Sequence, residues 1–249
     1  MAGGTSVMAR RQTVPAAIRR EVIGRWGNDC WLHLPGCTGK GEEDDHIVPW
    51  SHRGRDSVDN IRRACKHCNA ARQDRVLSGY GPNMHVVLGP PGADLMGAAE
   101  PYLQRDSIVV SHMQIMEALC PEGLYPTPAP ALRAAAGSAW DAAYRRLAKS
   151  RAPVDVWLLR TLPMSRTHPR LLDEWIALDY SVTIVDPGAA YIFDRAGLDA
   201  DALKVARQWY SLHLTQAGVN SKLAARHAEL VRLGLRSADT TANVERVRW

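Results

Sequence analysis

The cysteines constrain the fold of this chain more than any other feature of its sequence. Four of the five lie close together, at Cys30, Cys37, Cys65 and Cys68. Zn²⁺ prefers four thiolate or imidazole ligands in a tetrahedron, and two pairs of ligands from separate segments meet this preference with little strain. Structural zinc contributes roughly 10–16 kcal/mol of binding free energy in small modules. The sequence therefore predicts a structural zinc site that staples the first third of the chain.

The two cysteine pairs differ in regularity. Cys65 and Cys68 have the two-residue spacing that is typical of zinc ligands. Six residues separate Cys30 from Cys37, and a Leu-Pro-Gly turn between them can bring both thiolates to one ion. His33 lies at the two-residue spacing from Cys30 and is the rival fourth ligand. The turn favours Cys37 as the fourth ligand, and His33 remains the alternative.

Composition and charge place the chain among soluble, folded proteins. It has 249 residues, 46% hydrophobic and 23% charged, with a net charge of +5. No run approaches the roughly 20 apolar residues of a membrane helix, and the first residues lack the layout of a secretion signal. We therefore expect a cytoplasmic protein with no membrane partner, in the cytoplasm of a bacterial host if it is phage-encoded. Residues 1–81 carry 13 basic and 9 acidic side chains, so most of the positive excess lies there.

Turn signals and periodicity predict the organisation of the chain. Residues 1–12 read as a basic arm, and a helix follows until Gly27. The segment 78–83 is the predicted domain boundary, because it is rich in Gly, Pro, Ser and Asn. Beyond it, short apolar runs alternate with Ala-rich helical stretches, which is typical of a parallel sheet. The predicted units are residues 1–81, residues 82–216 and a C-terminal helix and tail at 217–249.

The residues between the cysteine pairs carry a family resemblance. Asp45-His46-Ile47-Val48-Pro49, then Asn60, then Cys68-Asn69 follow one another in the order Asp-His, Asn and Asn. From Cys30 to Arg75 the chain resembles the HNH endonucleases, in their zinc-stapled ββα-metal form known from bacteriophages and mobile elements. The resemblance implies an Asp-His pair at the end of the first strand and Asn69 on the following helix. It also implies that Asn60 orients the loop that carries His46.

Phosphodiester hydrolysis explains why these residue types are needed. A base must deprotonate the attacking water, and a divalent cation must neutralise charge on the phosphate and the leaving oxygen. His46 is neutral near pH 7 and can serve as the base. Asp45 and Asn69 offer the oxygen ligands that suit Mg²⁺ or Mn²⁺. The acidic residues just before this pair, Glu42 to Asp44, are interpreted as ordinary turn acids, with metal ligation as the alternative.

Arginines surround the same window and predict contacts with DNA phosphates. The planar guanidinium group forms paired hydrogen bonds with phosphate, which gives affinity without sequence recognition. The candidates are Arg53, Arg55, Arg62, Arg63, Arg72 and Arg75.

The second unit contains a loop that resembles a phosphate-binding loop. Gly89-Pro90-Pro91-Gly92 follows an apolar run, but Asp94, Leu95 and Met96 occupy the places of the second Gly, the Lys and the Ser or Thr. With the later strands, this resembles a degenerate P-loop kinase-like domain. We expect no functional ATP site there, and a role in binding nucleic acid or a further phage or host protein.

Together these observations predict an α+β zinc-bound HNH module followed by an α/β parallel-sheet domain. The predicted activity is metal-dependent DNA cleavage. There are two alternatives: a non-catalytic zinc adaptor that binds nucleic acid, and a protein related to nucleotide or polynucleotide kinases. The oligomeric state and the choice between nicking and double-strand cleavage are open from the sequence.

Overall fold

A computed structural model describes residues 13–120, 129–164, 169–194 and 198–238 of the chain. The predicted basic arm at 1–12 and the end of the C-terminal tail at 239–249 lie outside these residues.

The N-terminal part is a short helix followed by a ββα unit. Helix α1 spans Ala16–Trp26. Strand β1, Glu43–His46, pairs antiparallel with β2, Ile61–Ala64, and His46 lies opposite Ile61 in the register. Helix α2, Lys66–Arg72, follows β2 after one residue. The ββα order expected from the resemblance is therefore present.

The sequence pattern predicts a helical stretch over residues 68–77, and helix α2 differs from it in both bounds. It begins at Lys66 because the Cys65 sulfur accepts a hydrogen bond from the Cys68 backbone N–H and caps the first turn. It ends at Arg72 because Gln73 adopts a φ of +54°, which a continuing α-helix excludes.

The C-terminal part is built on a four-stranded parallel sheet, as the sequence predicts. Its spatial order is β4, Ile108–Ser111; β5, Asp155–Arg160; β3, Asn83–Leu88; and β6, Ser181–Ile184. The accompanying helices are α3 Leu95–Ala99, α4 His112–Leu119, α5 Pro130–Leu147, α6 Leu171–Ala177, α7 Ala189–Asp194, α8 Ala200–Ser211 and α9 Gln216–Arg232. Helix α4 was not expected from the sequence; it starts directly after β4, where Ser111 caps it.

The glycine-rich loop after β3 packs as an apolar turn. Gly89 is required there, because a Cβ would lie 2.5 Å from the Val185 carbonyl oxygen. The Asp94 carboxylate accepts a hydrogen bond from the Gly97 N–H and caps α3. Leu95 and Met96 pack against an apolar cluster around Trp157. The structure therefore shows a parallel-sheet domain, while its identity as a P-loop kinase-like fold stays a prediction.

One apolar core joins the two parts of the chain. The same cluster of buried side chains contains Trp31 and Leu34 from the first part and Met84 and Trp175 from the second. Helix α9 reinforces the junction, because buried Arg226 donates hydrogen bonds to the carbonyl oxygens of both Trp31 and Ala177. The first part therefore rests on the sheet domain through continuous packing.

Candidate active site and zinc centre

The four clustered cysteines meet in the structure. Their sulfur atoms all lie within 4.8 Å of one another. Cys30, Cys65 and Cys68 are buried and Cys37 is half-buried. Four sulfur donors this close fit a tetrahedral zinc ion, whose Zn–S bonds measure about 2.3 Å. The cluster could therefore bind zinc and tie the loop before β1 to the start of α2.

His33, the rival ligand, is engaged elsewhere. Its Nε2 atom lies 2.8 Å from a Glu229 carboxylate oxygen of α9. This hydrogen bond raises the pKa of His33 above its usual value. The histidine thus links the zinc loop to α9, and the geometry favours Cys37 as the fourth ligand.

Backbone N–H groups point to two of the four sulfur atoms. The N–H of Gly39 lies 3.3 Å from the Cys37 sulfur, and that of Cys68 lies 3.3 Å from the Cys65 sulfur. The hydrogen bond between Cys30 and Cys68 lowers the pKa of Cys30 to about 4 and raises the pKa of Cys68, while burial raises the pKa of Cys37. Metal ligation requires thiolates, and the two N–H contacts suit Cys37 and Cys65 to that state.

A cleft of about 520 Å³ lies between β1, α2 and the loop after β1. Its acidic and polar lining includes Glu43, Asp45, His46 and Asn69. Three of these are sequence-predicted site residues, and the structure brings them to one cavity. Trp50, Ser51, Lys66, Gln73 and Asp74 are among its other lining residues.

One ring nitrogen of His46 is hydrogen-bonded, and the other is not. Its Nε2 atom lies 2.7 Å from the Asp56 carboxylate, which can only accept a hydrogen bond when ionised, so Nε2 carries the proton. Its Nδ1 atom is buried and has no hydrogen-bond partner among the residues that the structure describes. A buried nitrogen lone pair without a donor is costly unless a ligand or water supplies one. The arrangement suits Nδ1 to accept a proton.

Asp56 was missed in the sequence analysis. It lies in the loop between β1 and β2, ten residues after His46, where no local spacing relates the two side chains. Only the folding of that loop brings its carboxylate to the imidazole.

Asp45 is buried and firmly fixed. Its exposed fraction is 2%, and its two oxygens accept hydrogen bonds from the Trp31 indole and the Arg72 guanidinium. Each carboxylate oxygen has two lone-pair sites, so one site on each remains for a cation.

Glu43 was read from the sequence as a turn acid, and the structure places it in the cleft. Its carboxylate accepts a hydrogen bond from the Asn69 side-chain N–H group at 2.5 Å. The period of two in a strand puts residues 43 and 45 on the same face, which is the signal that could have identified Glu43. Because Nδ2 of Asn69 donates this bond, its amide oxygen is left as an acceptor or ligand.

Asn60 fixes the loop that follows His46. Its side-chain oxygen accepts from the Val48 N–H at 2.9 Å, and its Nδ2 donates to the carbonyl oxygens of Val48 and Arg55. Gly54 lies against the same loop, and a Cβ there would lie 1.8 Å from the Val48 carbonyl oxygen. These contacts match the orienting role that the resemblance implies for Asn60.

The arginines divide into two groups, and this corrects the sequence analysis. Arg62, Arg63 and Arg72 are buried, with exposed fractions of 1%, 8% and 1%. Their guanidinium groups bond within the protein, for example Arg63 with Asp44 and Arg72 with Asp45.

Arg75 is nearly buried and pairs with Glu174 at 2.9 Å. Groups bonded in this way cannot reach a phosphate without leaving the core, so these four are withdrawn as DNA contacts. Arg53 and Arg55 are exposed and stay predicted contacts.

The fold and the cleft define a class of protein module. It is a compact ββα unit with a four-cysteine cluster and a pocket lined by histidine, asparagine and carboxylate side chains. Residues 30–75 match the family model described as HNH endonuclease. No curated protein and no solved structure matches the chain. The match indicates a nuclease or another nucleic-acid-related function and implies nucleic-acid binding. Within the described ranges, no helix is long and apolar enough to cross a membrane.

Proposed function

We propose that the protein is a metal-dependent endonuclease that hydrolyses DNA phosphodiester bonds. The observation that carries this proposal is the convergence of His46, Asp45, Asn69 and Glu43 on one cleft beside the four-cysteine cluster. The HNH family match over the same residues supports it. Cleavage that leaves 3′-hydroxyl and 5′-phosphate ends is what the family resemblance implies.

His46 is the proposed general base. Nδ1 accepts the proton of the attacking water, while Asp56 holds the Nε2–H and thereby fixes the tautomer and the ring orientation. Asn60 keeps the loop after His46 in place through its three hydrogen bonds. Asp56 and Asn60 are positioning residues, because they act through His46 and its loop.

Asp45 and Asn69 are the proposed ligands of a catalytic Mg²⁺ or Mn²⁺, and Glu43 is added to them. Three neighbouring oxygen donors fit a hard cation that keeps several of its own waters. When bound, the cation would neutralise charge on the phosphate and on the leaving oxygen. Arg72 and Trp31 hold Asp45 in place for this role.

The degenerate P-loop kinase-like assignment of the C-terminal part belongs to the same proposal. Its support is the glycine turn after β3 and the parallel sheet. The Asp94 carboxylate and the packed Leu95 and Met96 oppose phosphate binding at this loop. The C-terminal part therefore acts as a scaffold or binding surface in the proposal, without ATP hydrolysis.

A second candidate function is a non-catalytic zinc module that binds nucleic acid. One observation favours it: both oxygens of Asp45 already accept hydrogen bonds from protein groups. The two functions differ in the expected effect of His46→Ala, which removes cleavage in the first and changes nothing in the second.

A supercoiled-plasmid assay with purified protein tests the proposal. We expect nicking with Mg²⁺, none with EDTA, and a loss of roughly 100-fold or more in His46→Ala, which is the usual contribution of a general base. Zinc content and thermal stability of His46→Ala should equal those of the wild type. Cleavage by His46→Ala at the wild-type rate would refute His46 as the general base, and a wild-type protein that binds DNA without nicking it would leave the adaptor.

A matched pair of variants tests the added ligand. Glu43→Gln should lower the cleavage rate and raise the Mg²⁺ concentration needed for half-maximal activity. Glu42→Gln is the control, because Glu42 is the exposed neighbour that caps α2 at the Lys66 N–H. Equal Mg²⁺ dependence in both variants would remove Glu43 from the ligand set.

A further inference from the structure

A second cavity, of about 400 Å³, lies where the loop after His46 meets the C-terminal end of α5. We call it the α5 basic pocket, and it is lined by His52, Arg146, Lys149 and Arg151, with Leu147, Ser150 and Ala152 between them. None of these lining residues is acidic. One wall belongs to the HNH module and the other to the sheet domain.

The cations of the pocket are not neutralised by carboxylates. Arg146 and Arg151 are exposed, and within the part of the chain that the structure describes neither forms an ion pair. The Lys149 ammonium group donates to the Gln73 side-chain oxygen at 2.6 Å, which leaves its charge unpaired. By contrast, Arg145 on the same helix lies 3.9 Å from Asp141.

His52 lines the same pocket and is held neutral there mainly by burial. Burial lowers the pKa of His52, and the charges of Arg151 and Arg72 lower it further, against the opposing effect of Asp74. Its Nδ1 atom is buried without a hydrogen-bond partner among the described residues. A neutral imidazole beside three cations is suited to an anionic or phosphate-bearing ligand.

The pocket continues from the cleft of the candidate active site. Ser51 lines the cleft, and the next residue, His52, lines the pocket. Gln73 lines the cleft as well and is bonded to Lys149 of the pocket. A strand that passes through the cleft therefore meets the basic pocket on leaving it.

We propose that the α5 basic pocket binds backbone phosphates of duplex DNA beside the scissile phosphate, so that the sheet domain supplies part of the DNA-binding surface. This rests on the proposed function, since it extends the same substrate beyond the cleft. Arg146, Lys149 and Arg151 contact phosphate oxygens, which gives position and affinity without sequence recognition. The role of the C-terminal part is then to hold the substrate.

Binding of a fluorescein-labelled duplex, measured by anisotropy in the His46→Ala background, tests the pocket without cleavage. Changing Arg146, Lys149 and Arg151 together to Gln should weaken binding about 10-fold or more near 0.15 M salt. The slope of log affinity against log salt should become less negative by about 3, close to one unit for each lost phosphate contact. Arg145→Gln is the control and should change neither quantity, because its charge is already paired.

Lysine footprinting on the unmodified protein separates the two proposals. Only five lysines are present, so acetylation of each can be followed by mass spectrometry. Lys66 lines the cleft and reports DNA at the candidate active site, Lys149 reports the pocket, and exposed Lys204 is the reference.

Protection of Lys66 and Lys149 together is the expected result. Protection of Lys66 alone would overturn the pocket and keep DNA in the cleft, whereas protection of neither would overturn both. An unchanged affinity and salt slope in the triple variant would also refute the pocket.

Discussion

Arg62→Met tests the most specific structural link between the HNH module and the C-terminal part. The Arg62 guanidinium donates through Nε and Nη2 to the Leu233 carbonyl oxygen at the end of α9. Its Nη1 donates to the carbonyl oxygens of Val58 and Ile61 at 2.9 and 2.7 Å. The group also lies 4.2 Å above the Trp26 ring. Met keeps most of the side-chain volume and removes every donor.

Two opposing contributions determine how much Arg62→Met changes the free energy of unfolding. Three carbonyl oxygens lose a charged donor, at about 1.5 kcal/mol or more each. Against this, the variant no longer buries a charge, and burial is what lowers the pKa of Arg62 to about 10. We expect a net loss of about 2–4 kcal/mol in the free energy of unfolding, because breaking a buried hydrogen-bonded charge network is among the costly changes.

Urea unfolding followed by tryptophan fluorescence measures this loss as a shift of the transition to lower urea. Arg25→Met is the matched control. Arg25 also lies over Trp26, at 4.7 Å, but its side chain is 56% exposed and its ion pair with Asp59 is 3.7 Å long. We expect a change within about 0.5 kcal/mol for that variant. Equal effects of the two substitutions would refute the docking of the module on α9.

Two further predictions concern the metal staple and the loop after His46. Cys37→Ser should lower the zinc content of the purified protein from one ion per chain and destabilise the module. Cys120→Ser is the control and should retain the ion, because Cys120 lies outside the cluster. A Cys37→Ser protein with full zinc content would show that another ligand completes the site. Gly54→Ala should shift the loop and lower plasmid nicking at least 10-fold, because the added Cβ would lie 1.8 Å from the Val48 carbonyl oxygen. Gly24→Ala is the control: it lies inside α1 with open space around it and should stabilise the protein by about 0.5–1 kcal/mol. Undiminished nicking by Gly54→Ala would contradict the tight loop.

Trp31 shows why the candidate site depends on the whole chain. Its indole donates to the Asp45 carboxylate in the cleft, and its carbonyl oxygen accepts from Arg226 of α9. Asp45 is thus fixed by a side chain that is itself held by the C-terminal helix. The Asp45 carboxylate is thus connected to α9 by two hydrogen bonds that meet at Trp31.

The sequence alone predicted the cysteine cluster and the parallel sheet. These two predictions follow from ligand spacing, periodicity and turn signals, which act between residues that are near in sequence. The ββα order and the places of Asp45-His46 and Asn69 were expected from the resemblance to HNH endonucleases. The tertiary structure decided the rest. Whether Arg62 faces a phosphate or the Leu233 carbonyl depends on packing against a helix more than 150 residues away. Asp56 likewise entered the site only when loop folding brought it to His46, whereas strand alternation already places Glu43 on the face of Asp45. Burial and the pairing of charges are properties of the assembled core, and no local pattern encodes them.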